Sequence, residues 1–182
     1  MYNLILVRHG QSQWNLENRF TGWYDAELTK QGIEEAQQAG SLIKNLNINF
    51  NFAFTSFQQR AILTLDEINK KLDLSIKNIF KAWELNERHD GALQGLNKEE
   101  TAKKHGEQQV KIWRRSYDIP PPPMDKSDPN HPANYPIYKK ISKDLIPDTE
   151  SLKDTFKRVI PYYEKNILSV FKKRKKRHHL ST

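Results

Sequence analysis

The 182-residue chain is 36% hydrophobic and 29% charged, which suits one domain with a packed core. It has no cysteine, so disulfides and thiolate metal sites are excluded and a reducing, cytoplasmic setting is expected. The formal net charge is +8, but six positive charges form the block Lys172–Arg177; removing those six from +8 leaves +2, which argues against nucleic acid or a membrane surface as partner.

In chain order, residues 2–7 are a short β-branched apolar run ending at Arg8-His9-Gly10. They are expected to form a buried strand feeding a functional loop. No signal-peptide pattern precedes it, and no apolar run is long enough to span a membrane. Thr29 is placed to cap a helix whose apolar positions are Ile33, Ala36, Ile43 and Leu46. Phe52 to Thr55 is a second strand. Ser56 is expected to cap the next helix, with Ala61, Leu65, Ile68 and Leu72 on its apolar face. Ile76 to Trp83 gives a third strand. Strands alternating with helices imply an α/β fold with a mostly parallel sheet.

Asn97 followed by Glu100 has the pattern of a capping box for a helix through His105. A further helical stretch carries Val110, Trp113, Arg114, Arg115 and Tyr117. Residues 118–136 are proline-rich and are expected to be an ordered surface loop or lid. Leu152, Phe156, Val159, Tyr163, Ile167 and Val170 mark a last helix, with Pro161 expected to kink it. Residues 1–171 therefore read as one domain and 172–182 as a basic, disordered tail.

The chemistry concentrates at Arg8-His9-Gly10-Gln11-Ser12 and Asn15. A histidine at the end of a parallel strand sits where open α/β sheets bind ligands. An adjacent arginine favours anions, and a glycine lets backbone N–H groups approach a phosphate. A neutral imidazole is a competent nucleophile toward phosphorus.

The segments Arg8 to Asn15, Arg19-Phe20-Thr21-Gly22-Trp23, Arg60-Ala61, Leu85 to His89, Gly91 to Lys98, Trp113-Arg114-Arg115 and Arg158 to Tyr162 together resemble the cofactor-dependent phosphoglycerate mutase family, within the histidine phosphatase superfamily. The resemblance runs from residue 2 to about residue 170. It implies a three-layer α/β sandwich and interconversion of 3-phosphoglycerate and 2-phosphoglycerate in glycolysis and gluconeogenesis. His9 would carry the phosphoryl group, Arg8 and Arg60 would hold it, and Glu87 would be the general acid/base. Gly10, Gln11, Ser12, Gln13, Trp14, Asn15, Thr21, Gly22, Arg88, His89, Asp90, Lys98, Arg114 and Arg115 would line the substrate site. Trp14, Trp23, Trp83 and Trp113 are expected mainly to pack. The implied cofactor is 2,3-bisphosphoglycerate as phosphoryl donor and primer, with no metal; the implied assembly is a homodimer.

Two departures from the family stand out. Asp90 replaces the family's tyrosine after Glu-Arg-His. A carboxylate about 4 Å from a bound phosphate would cost about 4 kcal/mol at an effective dielectric near 20. The family's last strand, with an Ala-His-Gly-Asn-Ser-Leu-Arg segment carrying a second histidine, has no counterpart here. An open apolar edge and weakened activity are expected from that. For one choice of codons, residues 174–182 read one base forward give a β-branched run, so the tail is expected to be an out-of-frame version of that strand. An inactive shortened form, a bisphosphoglycerate phosphatase or synthase on the same site, and a basic-tailed surface binder are the alternatives.

Overall fold

A computed structural model describes residues 3–171. The tail, with the frame-slip expectation attached to it, lies outside the described residues. The fold is α/β with a parallel sheet surrounded by helices. β1 (Phe52–Thr55) and β2 (Asn78–Lys81) pair parallel, from Phe52 opposite Asn78 to Thr55 opposite Lys81. Phe80 stacks across the ladder on Phe54 and Phe52, with ring centroids 5.2 and 6.4 Å apart. Such aromatic cross-strand pairs contribute several tenths of a kcal/mol, up to about 1 kcal/mol each.

Four residues at Gln13–Leu16 form α1. Helix α2 (Lys30–Lys44) starts where Thr29 accepts from the N–H of Gly32, as its sequence position predicts. Its buried residues Gly32, Ala36 and Gly40 are all small. A β-carbon on Gly40 would lie 2.9 Å from the Ile68 backbone, so glycine allows close packing on α3 (Gln59–Lys71). The expected Ser56 cap of α3 is displaced. Gln58 occupies the cap position, Ser56 Oγ accepts only from the Gln58 N–H, and Asp25 Oδ1 takes the Gln59 N–H at 2.7 Å. An acceptor brought in from a distant loop does the work of a local cap.

Helices α4 (Lys98–His105) and α5 (Glu107–Arg115) pack as a pair behind Phe20, Leu93 and Val110. Asn97 caps α4 by accepting from the N–H groups of Glu99 and Glu100. Asn97→Ala should therefore cost about 1 kcal/mol, read as a lower urea midpoint at unchanged slope. An unshifted midpoint would show that water replaces the cap. Helix α6 (Leu152–Tyr162) starts at a full Ser151–Asp154 capping box and runs into a π-helical turn, Tyr163–Ile167. Pro161 has no N–H and its ring obstructs the carbonyl four residues back, so the ladder changes register just beyond it. Tyr162 meets Phe54 edge-on at 6.5 Å, which seats α6 on that face of β1.

The expected first strand also differs from the structure. Residues 3–7 form no ladder, and Leu4, Leu6 and Val7 stay exposed, Leu6 at 87%. A central strand is fixed by burial on both faces, and nothing among the described residues covers these side chains. They line instead an apolar groove of about 540 Å³ with β1, α3 and Ile167, Val170 and Phe171. The proline-rich segment 118–136 is an irregular loop, mostly exposed as expected, that is tied down by four buried residues. Pro121, Met124, His131 and Pro132 are buried, and Tyr138 and Ile146 pack with Trp23 in a second core cluster. Prolines suit an irregular buried path because they leave no N–H unsatisfied. Among the described residues no helix is long and apolar enough to cross a membrane.

Candidate active site

The site begins at the turn after residue 7. Gly10 donates its N–H to Thr64 Oγ1 at 3.1 Å, fastening this turn to α3. A β-carbon on Gly10 would sit 2.1 Å from the Gly32 carbonyl oxygen. The close approach of loop and helix α2 therefore requires glycine. His9 is held half-buried at this point.

His9 Nδ1 lies 2.7 Å from the Gly10 carbonyl oxygen, which can only accept. The proton therefore sits on Nδ1, and Nε2 carries the lone pair. Arg60 Nε donates to that Nε2 at 3.3 Å. Burial is the main cause that lowers the proton affinity of the ring, with the Arg60 and Arg8 charges adding to it against the opposing Gly10 carbonyl and Glu87. The imidazole is thus kept neutral with Nε2 available, the state a nucleophile needs.

Arg60 has no exposed surface, yet every part of its guanidinium is engaged. Nη1 donates to the Tyr24 carbonyl at 2.9 Å, and Nη2 to the Gly22 carbonyl at 3.0 Å and to Glu87 Oε2 at 2.8 Å. A buried charge survives only when paired and hydrogen-bonded in this way. Gly22 reaches its position at φ +51°, and a β-carbon there would meet the Asp90 N–H at 2.9 Å. The Glu87 side chain is 46% exposed and faces the open side. Its backbone N–H is fixed by Gln58 Oε1 at 3.0 Å.

Cations complete the rim. Lys98 at the head of α4 lies over Phe20 and is within electrostatic reach of Arg114, Asp90, Glu87 and Arg8. Burial first, and then Arg114, lowers its proton affinity. Arg88 donates from Nη1 to the Trp113 carbonyl at 2.7 Å and from Nη2 to Asp90 at 3.1 Å. Arg114 and Arg115 are exposed on the last turn of α5 and line a concavity with Lys98. Positive charge from Arg60 and Arg8 beside a neutral imidazole, with a half-exposed carboxylate across Arg60, suits an anionic ligand and phosphoryl chemistry.

Other residues named from sequence occupy less direct positions. Ser12 and Asn15 cap α1 reciprocally, and Trp14 stacks on Tyr24 at 3.8 Å. Gln11 accepts from Thr29, Gln13 donates to Glu17 at the surface, and Thr21 is buried. His89 is a correction: it has no exposed surface and cannot touch a ligand as placed. Its Nδ1 accepts from the Gly91 N–H, its ring lies against Trp23 and His131, and burial pushes its pKa down to about 3. Asp90 is 7% exposed and paired with Arg88.

Sequence reasoning missed Gln58, which bridges the Gly22 carbonyl and the Glu87 N–H, and Thr64, which joins Gly10 to Arg60. It also missed what Arg158 does. From α6, Arg158 donates to the carbonyls of Glu84, Asn86 and Glu87 and pairs with buried Glu150, whose Oε2 takes the His89 N–H. The one available signal was that Arg158 opened a matched segment. Among the described residues there is no group of three or more His, Cys, Asp or Glu that could hold a metal ion.

The family model described as "Histidine phosphatase superfamily (branch 1)" matches residues 4–169. A relative from Hydrogenobaculum sp. (strain Y04AAS1), named a 2,3-bisphosphoglycerate-dependent phosphoglycerate mutase, is 56% identical over 164 residues. The match covers 90% of this chain and 66% of that protein, so the chain spans just under two thirds of the relative's length. A mycobacterial glucosyl-3-phosphoglycerate phosphatase complexed with VO3 superposes with a TM-score of 0.64 at 20% identity, over 88% of this chain and 62% of that one. Mycobacterial hydrolase 1 superposes with a TM-score of 0.63 at 21% identity, over 88% and 62%. At those identities the two structures speak for the fold alone.

Proposed function

The chain belongs to the histidine phosphatase superfamily (branch 1), and from that premise we propose that it interconverts 3-phosphoglycerate and 2-phosphoglycerate through a phosphorylated His9. The observation that carries this reading is the setting of His9: Nδ1 against the Gly10 carbonyl, Nε2 beside Arg60, and Glu87 across the guanidinium. The 56% identity to a named mutase supports the choice of substrate.

His9 Nε2 forms the N–P bond while the bond between phosphorus and the substrate oxygen breaks. Glu87 delivers a proton to the departing oxygen, and in the reverse direction takes it from the attacking hydroxyl. Arg60 and Arg8 bear on the phosphoryl oxygens. Being fixed by the Tyr24 and Gly22 carbonyls, Arg60 needs no reorganisation as charge develops. Lys98, Arg88, Arg114 and Arg115 fit the carboxylate and second phosphate of the substrate, and the same cations suit the cofactor. When bound, 2,3-bisphosphoglycerate supplies the phosphoryl group that primes His9. We assign this chemistry to glycolysis and gluconeogenesis in the cytoplasm, and to a homodimer.

The test is turnover of 3-phosphoglycerate with and without a trace of 2,3-bisphosphoglycerate, with 2-phosphoglycerate and inorganic phosphate measured together. Primer-dependent formation of 2-phosphoglycerate is expected. Phosphate release without isomerisation would transfer the reading to a phosphatase, and absence of both products would refute it.

A further inference from the structure

Asp90 lies in the turn before Gly91, 7% exposed, and is in contact with more of the site than its exposure suggests. Its Oδ1 takes Arg88 Nη2 at 3.1 Å, while Arg88 Nη1 is held by the Trp113 carbonyl of α5 at 2.7 Å. The guanidinium is thereby pinned at two nitrogens, and its direction depends on the carboxylate. Glu87 and Arg88 on its own segment, Lys98 at the head of α4 and the Gly22 N–H from the 20–23 loop all act on Asp90. Glu87, Arg88 and Lys98 are the residues to which the reading above gives roles toward substrate. We propose that Asp90 is a positioning residue that fixes Arg88 against α5 and couples anion binding at this site to the uptake of a proton. The inference rests on the reading above that the site takes an anionic ligand.

The coupling follows from charge alone. Burial, and then Glu87, push the Asp90 carboxyl up to about 6, against the opposing pull of Arg88 and Lys98. A bound anion shares those two cations and adds negative charge nearby, so the carboxyl must rise further on binding. Between the free and bound values, binding takes up a proton. Affinity therefore increases as pH falls through the bound value and levels off below about 6. Each unit of that shift corresponds to about tenfold in affinity. A protonated Asp90 still presents an acceptor oxygen to Arg88, so the guanidinium keeps its place while the repulsion disappears.

The experiment is calorimetric titration with 3-phosphoglycerate from pH 5.5 to 8, in two buffers of different ionisation enthalpy, on the wild type, Asp90→Asn and Asp90→Ala. The ligand and His9 titrate alike in all three, so differences report Asp90. Asp90→Asn keeps the acceptor without the charge. It should bind about tenfold more tightly than wild type at pH 8, match it at pH 5.5, and take up fewer protons. Asp90→Ala frees Arg88 and should bind more weakly than Asp90→Asn at every pH. In the wild type itself, ¹³C-carboxyl NMR should show the Asp90 midpoint rising when 3-phosphoglycerate is added. Superimposable wild-type and Asp90→Asn profiles, or an unmoved midpoint in a protein that binds the ligand, overturn the role of Asp90 and leave the reading of the site standing. Failure of 3-phosphoglycerate to bind the wild type at any pH overturns both.

Discussion

His9→Ala should abolish phosphoryl transfer, lowering it on the order of 10⁴- to 10⁶-fold, the scale on which an enzyme loses its attacking group. The expectation is specific to Nε2. Nδ1 is committed to the Gly10 carbonyl, and Nε2 is the ring atom beside Arg60 on the side that Glu87 borders. Incubation of the wild type with 2,3-bisphosphoglycerate should give an acid-labile phosphoprotein with the label on one histidine. The variant should give none, although Arg60 remains anchored by Tyr24, Gly22 and Glu87 and the anion site stays built. Binding of 3-phosphoglycerate should therefore survive in the variant within about an order of magnitude, since a residue acting only on the transferring group contributes little to ground-state affinity. Equal labelling of wild type and variant would move the nucleophile elsewhere, to one of the other histidines.

Arg158→Ala should destabilise the protein by about 3–5 kcal/mol, the cost of breaking a buried ion pair from one side. Glu150 is 3% exposed in its side chain and would be left charged and unpaired. The carbonyls of Glu84 and Asn86 would lose the donor that Arg158 supplies, Glu87 would keep only the Trp23 Nε1–H, and Trp23 would lose the guanidinium 5.4 Å from its ring. Against a typical total of about 5–15 kcal/mol this is a large share. Because the same carbonyls locate the segment carrying Glu87, turnover should fall along with stability. Urea unfolding checks the first claim, and the double variant Glu150→Leu/Arg158→Met checks the second. With both charges gone, stability should recover and activity should not. A loss below about 1 kcal/mol in Arg158→Ala would show that water takes over the bonds.

The helices were legible because their signals are local. Thr29 and Asn97 are strong caps, and the spacing of Ile33, Ala36 and Ile43 or of Ala61, Leu65 and Ile68 belongs to one turn-to-turn pattern. Strand β1 was legible at its bounds, and β2 lies inside the longer expected run Ile76 to Trp83, of which only Asn78–Lys81 pairs and Trp83 opens a 3-10 turn. Residues 3–7 have the same composition and make no strand, since a ladder depends on partners that local sequence does not contain. The proline-rich segment was legible as a surface loop but not in its anchors. Proline content forecasts irregular backbone correctly but says nothing about burial, and Pro121 and Pro132 are among the most buried residues. Within the site, His9, Arg60 and Glu87 were marked by resemblance and are brought together by α3 and the 84–90 segment. The neighbours that fix them, Gln58, Thr64 and Arg158, carry no motif of their own. His89 was placed at the site by resemblance alone, while its ring packs against Trp23.

The adjacency of His89 and Asp90 has a consequence for acid tolerance. His89 holds its proton less tightly folded than unfolded, about 3 against 6.5, so its contribution to stability is present above 6.5 and is lost as pH falls toward 3. Asp90 is opposite: raised to about 6 from 3.8, it favours the folded state below 3.8, and that contribution is lost as pH rises through about 6. Between about pH 6 and pH 4, acidification thus withdraws stability through one residue and returns it through the next. Unfolding releases the proton that Asp90 has gained and takes up the one His89 has refused, so this pair exchanges almost no net proton with solvent across that window. Two neighbouring side chains, each placed at a cost in burial, offset one another, so that their joint contribution to stability hardly changes in mild acid.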